Sequence, residues 1–358
     1  MSPLRKLNQL GQSIWLDNLS RTLLREGGLQ QLIEHDGISG VTSNPSIFQK
    51  ALAESPYYHD DLARLRTNQA DAEKRYEALV IPDIQAACDL LLPTFQRTQG
   101  DDGYVSLEVS PQLAHDSAAT IAAAQRLRGA VNRPNLLIKI PGTAAGLVAF
   151  EQLISAGVSI NITLLFSLRQ TVRVFEAYIR GLKQRMAQSG DLHSIKAVAS
   201  LFLSRVDTLV DKRLAAIDTD AAQALTGRAA LITAKLAYQR YQGIFHGAMF
   251  ADLAHAGARP QYLLWASTGT KNPAYSDVKY LQALIGTETI NTVPDATLAA
   301  FRDHGCADLT LNDAIAAAEA DYIALENIGI DLNIVGDTLQ TEGLKLFADS
   351  YEQALASS

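Results

Sequence analysis

The sequence predicts an α/β fold, a (β/α)8 barrel, over residues 1–358 as one domain. Two observations carry this reading: eight short apolar runs recur at fairly regular intervals, and most are followed by a stretch with helical periodicity. Strands that are apolar on both faces and alternate with helices belong in parallel sheets. Eight such units in one chain close into a barrel. An open doubly wound sheet is the alternative, but its glycine fingerprint, GxGxxG, is absent.

The first run is SIWLDN (13–18) and the second is GVTSNP (40–45), which stops at Asn44-Pro45, where Pro45 is suited to open a helix. Residues 46–100 then hold at least two helical segments, 57–80 and 81–96, more than one crossover needs. YVSLEVSP (104–111) is the third strand and NLLIKIPG (135–142) the fourth; Leu147, Phe150 and Leu153 share one face of the helix that follows. SINITLLF (159–166) is the fifth, answered by a stripe of Val172, Phe175, Ile179 and Leu182. AVASLFLS (197–204) is the sixth, with its helix over 227–245. QYLLWAST (261–268) and TINTVPD (289–295) complete the set. The tail adds a helical stretch over 311–329 and a last helix from Asp337. There Asp337 and Gln340 have capping-box spacing, and Leu344, Phe347, Tyr351 and Leu355 lie along one side. No composition shift, repeat or low-complexity linker marks a second domain.

The chain has 358 residues, 47% of them hydrophobic, and a net charge of -7, so it offers no basic field to nucleic acid or acidic membrane. Cys88 and Cys306 form no CxxC or zinc-type spacing, which fits a reduced compartment. The opening MSPLRKLNQLGQ lacks an apolar signal region, and no run approaches the ~18 apolar residues of a membrane span. A cytoplasmic location is the expectation. The seven histidines, among them His35, His115 and His304, show no HExxH or HxH spacing, and Walker and GxSxG motifs are absent. Neither a metal nor a cofactor is expected.

Barrels of this kind gather their chemistry at the carboxyl ends of strands. The polar residues there are Asp17 and Asn18, Thr42 and Asn44, Glu108 and Ser110, Lys139, Asn161 and Thr163, Ser200, Ser204 and Arg205, and Ser267, Thr268, Thr270 and Lys271. Lys139 is the most informative, because LLIKIPG places it among apolar neighbours and a lysine is rarely buried without a partner or a purpose. It is either one half of a structural ion pair with Glu108 or Asp17, or an amine nucleophile made available by desolvation, with two carboxylates as acid-base helpers. Plainer roles are open for the others: Asp17 as a cap for a helix near Ser20, Glu108 as the ion-pair partner, Asn44 as an Asx turn. Asn161 and Thr163 within an apolar strand need partners in any reading.

Together these residues resemble the transaldolases, Schiff-base enzymes of the class I aldolase group. GVTSNPSIF carries one family signature and LLIKIPGTAAGLVAFEQL, from Leu136 to Leu153, the lysine signature; SIWLDNLSR, SLEVSP, SINITLLFS and STGTKNP extend the likeness over all eight strands. The longer bacterial branch is the nearest in form. The resemblance implies Lys139 as the Schiff-base lysine, Glu108 as the acid-base group through a water held by Thr163, and Asp17 as the group that moves the C4-hydroxyl proton. It implies Asn44, Asn161 and Ser200 as ligands of the dihydroxyacetone unit, and sugar phosphates as substrates. Departures are the absence of a proline after Ser200, TSNP for a commoner TTNP, and Lys271 where better-known relatives carry a phosphate-binding arginine. Arg205, Ser267 and Lys271 are the expected phosphate ligands. The rivals are a fructose 6-phosphate aldolase, which uses the same lysine but releases dihydroxyacetone, and a barrel that senses sugar phosphate without turnover.

Overall fold

The computed structural model describes residues 2–69 and 71–358. Eight parallel strands form a closed barrel in chain order: β1 (Gln12–Leu16), β2 (Gly40–Thr42), β3 (Val105–Glu108), β4 (Leu136–Pro141), β5 (Ile160–Leu165), β6 (Ala197–Phe202), β7 (Tyr262–Ala266) and β8 (Thr289–Val293). Every strand falls within its predicted run except that β1 begins one residue earlier. Closure is made by β1 against β8, from Gln12 opposite Thr289 to Leu16 opposite Val293. The buried apolar side chains form one continuous cluster that includes Leu4 near one end of the chain and Ala354 near the other.

Two local features fix the barrel's shape. At β2, a Cβ on Gly40 would stand 2.4 Å from the Trp15 ring, so only glycine lets the indole lie against its neighbouring strand. That indole Nε1 donates to Asp102 at 2.8 Å, and Ser13 Oγ donates to the other carboxylate oxygen at 2.6 Å, which ties β1 to the approach to β3 at the amino end of the barrel. In β5 the register against β6 shifts between Ile162 and Leu165, and Leu164 takes a left-handed φ of 59°. A bulge of this kind re-aims backbone groups at a barrel rim, and here the Leu164 carbonyl is turned to accept from Gln340 Nε2 at 3.0 Å.

The extra helices depart from the sequence reading in three places. The segments expected over 57–80 and 81–96 are instead helix His59–Asn68 and an unbroken 26-residue helix, Ala72–Arg97, which continues through Pro82 and Pro93. A proline inside a helix costs about 3 kcal/mol, and burial of Tyr76, Leu79, Val80, Ile84, Ala87 and Leu91 along its inner face outweighs that cost. This helix is long and apolar enough, by composition alone, to cross a membrane, yet it packs on β3 and the neighbouring helices. After β6 come Ser204–Ile217 and Asp220–Leu225 before the expected helix, Ala229–Phe245.

The last helix starts at Leu332, not at Asp337. Asp331 is its cap, accepting from the amides of Asn333 at 2.7 Å and Ile334 at 3.4 Å. Asp337, one turn in, binds Arg169 at 2.6 Å and Gln170 at 3.3 Å, so its carboxylate is used sideways and not for capping. Gln340 reaches the carbonyls of Gly142 and Leu164, each at 3.0 Å, at the carboxyl ends of β4 and β5. Ser350 meets Ser46 at 2.8 Å on helix Pro45–Glu54. The last helix therefore lies across the carboxyl end of the barrel. Close approach is needed at Gly343, where a Cβ would stand 3.0 Å from the Leu164 side chain.

Candidate active site

A cavity of about 330 Å³ opens at the carboxyl ends of the strands, and its lining includes Asp17, Lys139, Thr163, Ser200, Arg205 and Lys271. The register explains why: Glu108 lies opposite Lys139, Lys139 opposite Asn161, and Pro141 opposite Thr163, so residues two apart on adjacent strands stack inward in rows.

Lys139 is buried on β4, with 4% of its surface exposed. Its Nζ donates to the Ser43 carbonyl at 3.2 Å and stands 3.4 Å from Glu108 Oε2. The second contact is an ion pair, longer than a good hydrogen bond, and both Glu108 oxygens are buried with no hydrogen-bond partner. Burial pushes the Glu108 carboxyl up to about 7, against the opposing pull of Lys139. A carboxyl tuned near neutrality can both give and take a proton. Thr163 Oγ1 is likewise buried and without a partner.

Asp17 follows β1 and reaches the same cavity. Burial lifts its carboxyl above the ordinary carboxylate range, opposed by the charge of Lys139 and by Thr42, whose Oγ1 donates to Asp17 Oδ1 at 2.9 Å. The Thr42 hydroxyl also meets Thr292 Oγ1 at 2.6 Å. Thr42 thus holds Asp17 in place from β2. The helix cap once open to Asp17 is made by Ser20, whose side chain accepts from Leu23 N at 3.1 Å.

Asn44 does two things. Its Oδ1 accepts from Ile47 N at 3.0 Å and caps helix Pro45–Glu54, while the residue lines the cavity. Asn161 is completely buried: Ser200 Oγ donates to its Oδ1 at 2.7 Å and its Nδ2 donates to Ser106 Oγ at 3.1 Å. The lining of the cavity at that level comes from Ser200, not from Asn161. Arg205 is half-buried at the start of helix Ser204–Ile217, and desolvation lowers its guanidinium below the ordinary arginine value, with Glu342 opposing. Ser267 pairs with Ser204 at 2.8 Å and Lys271 is exposed at the rim, so all ten candidate residues gather at one end of the barrel.

Five contributors escaped the sequence reading. The Ser43 carbonyl and Thr292 are ordinary in sequence. Ser46 and Lys50 face the cavity from helix Pro45–Glu54 one turn apart, a spacing that is detectable once that helix is placed. Phe347 of the last helix also lines it, its ring centroid 5.8 Å from Lys139 Nζ. Among the described residues no group of three or more His, Cys, Asp and Glu side chains is arranged to hold a metal ion.

A closed eight-stranded barrel with an amine and two perturbed carboxyls under one cavity defines an α/β-barrel enzyme built around a buried lysine. Residues 14–358 match the family described as Transaldolase/Fructose-6-phosphate aldolase. The chain is 58% identical to the transaldolase of Thiobacillus denitrificans, with 99% of each chain covered. It is 46% identical to the transaldolase of Neisseria gonorrhoeae, again over 99% of each. Identity to transaldolase 1 of Streptomyces avermitilis is 46%, covering 96% of this chain and 91% of the relative. The chain belongs to the transaldolase/fructose-6-phosphate aldolase family.

Proposed function

We propose that the protein is a transaldolase, moving a dihydroxyacetone unit between sugar phosphates through an imine on Lys139. The observation that carries this is the buried Lys139 amine 3.4 Å from a Glu108 carboxyl poised near neutrality, beneath an open cavity. In this reading the Lys139 nitrogen attacks the ketose C2, forming a carbinolamine. Glu108 supplies and recovers protons through a water held at the Thr163 hydroxyl as the C2 oxygen leaves as water. Asp17 takes the proton of the C4 hydroxyl while the C3–C4 bond breaks. The bond's electron pair passes into the protonated imine, leaving an enamine on Lys139 and a free aldehyde. A second aldehyde then enters, and the steps run in reverse.

Ser200 and Asn44 would hold the hydroxyls of the three-carbon unit, with Asn161 fixing Ser200 from beneath. Arg205 and Lys271, with Ser267, would hold the substrate's phosphate on a protein whose net charge of -7 otherwise repels anions. The substrates would be sedoheptulose 7-phosphate and glyceraldehyde 3-phosphate, giving erythrose 4-phosphate and fructose 6-phosphate. Treatment with borohydride and fructose 6-phosphate should fix a three-carbon mass on the peptide that holds Lys139, and Lys139→Ala should abolish both label and turnover while remaining folded. A label on another residue, or activity in Lys139→Ala, would overturn the assignment.

A further inference from the structure

Phe347 has no role in the steps above, yet among the described residues it is the one that the last helix brings to the cavity lining. It is buried, 4% exposed, and its ring stands over the Lys139 amine. Tyr351, one turn further along the same helix face, packs edge-to-face on Tyr76 with centroids 5.3 Å apart, and Tyr76 packs on Phe48 at 6.1 Å. The helix is held there by Gln340 on the rims of β4 and β5 and by Ser350 on Ser46. An aromatic wall, tethered on two sides, closes the approach to the lysine from the side of the last helix.

We propose that Phe347 is a specificity-determining residue: by keeping bulk water from the enamine carbon of the lysine-bound three-carbon unit it favours transfer to an aldehyde over release. This rests on the imine chemistry proposed above. Release requires one event that transfer does not share. The enamine carbon must take a proton from water, restoring the dihydroxyacetone imine. A water molecule then adds to the imine carbon, as it also does when the transfer product leaves, so that the C–N bond breaks and free dihydroxyacetone leaves the regenerated amine. Transfer instead joins the enamine carbon to the acceptor's carbonyl carbon, whose oxygen takes the proton. Keeping bulk water from the enamine carbon suppresses its protonation, leaves the water at Thr163 in place for imine hydrolysis, and leaves the aldehyde's entry, on the Arg205 and Lys271 side, open.

The test measures two rates on the full-length protein with fructose 6-phosphate: free dihydroxyacetone released without acceptor, and transfer to erythrose 4-phosphate. Phe347→Ala should raise the release-to-transfer ratio about tenfold, equivalent to about 1.4 kcal/mol off the relative barrier. Phe347→Leu, which keeps an apolar cover, should stay within about twofold of the parent. An unchanged ratio in Phe347→Ala, or an equal loss of both rates, overturns the inference, since a purely structural role would move both together. Should Phe347→Ala fail to fold, Phe347→Val decides on the same criterion. Borohydride trapping separates the two levels: a trapped imine with an unchanged ratio sinks this inference alone, whereas no imine at Lys139 in the parent sinks the functional reading as well.

Discussion

Replacing Glu108 with glutamine tests the electrostatics of the site without touching substrate. The Glu108 side chain is only 3% exposed, and its carboxyl is raised from an ordinary value of 4.5 to about 7. A change of that size corresponds to roughly 3 kcal/mol between the protonated and ionised states. Because the folded value lies above the unfolded one, this group's stabilising contribution is complete below about pH 4.5 and is lost as the pH rises through about 7. Glu108→Gln has no proton to lose there. Its stability relative to the parent should therefore climb by roughly 3 kcal/mol from pH 4.5 to 8. Urea unfolding of both proteins at a series of pH values measures the difference, which cancels the carboxylates they share. A constant offset would report packing alone. Parallel stability curves over this range would show that Glu108 is ionised in the fold well below neutrality, and the acid-base role drawn from its burial would fall.

Other expectations follow from the same geometry. Arg205→Ala should lose one charge-assisted hydrogen bond, about 1.5–3 kcal/mol or roughly 10- to 150-fold in KM for phosphorylated donors. It should do little to unphosphorylated ones, and equal losses on both donor types would mean support of the fold; Lys271→Ala, at an exposed position, should show a smaller effect of the same kind. Asn44→Asp keeps an acceptor for Ile47 N, so thermal stability should hold while KM for ketose rises; Asn44→Ala should add a loss of about 1 kcal/mol in stability from the missing cap. Prolonged chelation should leave turnover intact, and activity restored by added zinc or magnesium would point to another aldolase chemistry.

The barrel was legible because its strands are short, apolar on both faces and bounded by polar residues. The ends of those strands were legible for the same reason: Asp17, Glu108, Lys139 and Thr163 interrupt runs that are otherwise apolar. Partner assignment was not. Thr42 and Asn44 lie two apart in sequence, but the Thr42 hydroxyl is bound to Asp17 and Thr292, whereas Asn44 lines the cavity while capping its helix. Tertiary partners decide such cases, and a period-two pattern does not encode them. The start of the last helix was misplaced because Asp331 and Asp337 both offer capping chemistry, and only the contact with Arg169 and Gln170 separates them. Phe347 was hidden for a deeper reason. A phenylalanine in an amphipathic stripe reads as core, and no local signal tells a residue that fills a core from one that covers a reactive amine.

The placement of the last helix also orders events during synthesis. Ribosomes build the chain from its amino end, so all eight strands, ending at Val293, are synthesised before Leu332–Ser357. A barrel that closes as soon as β8 is available would already hold the amine of Lys139 beside Glu108 and Asp17, with no aromatic roof above them. Until then the Lys139 amine would be open on the side that Phe347 covers in the finished fold. The final helix can pack across the strand ends only after it too has emerged, so the cover it lays over Lys139 forms last.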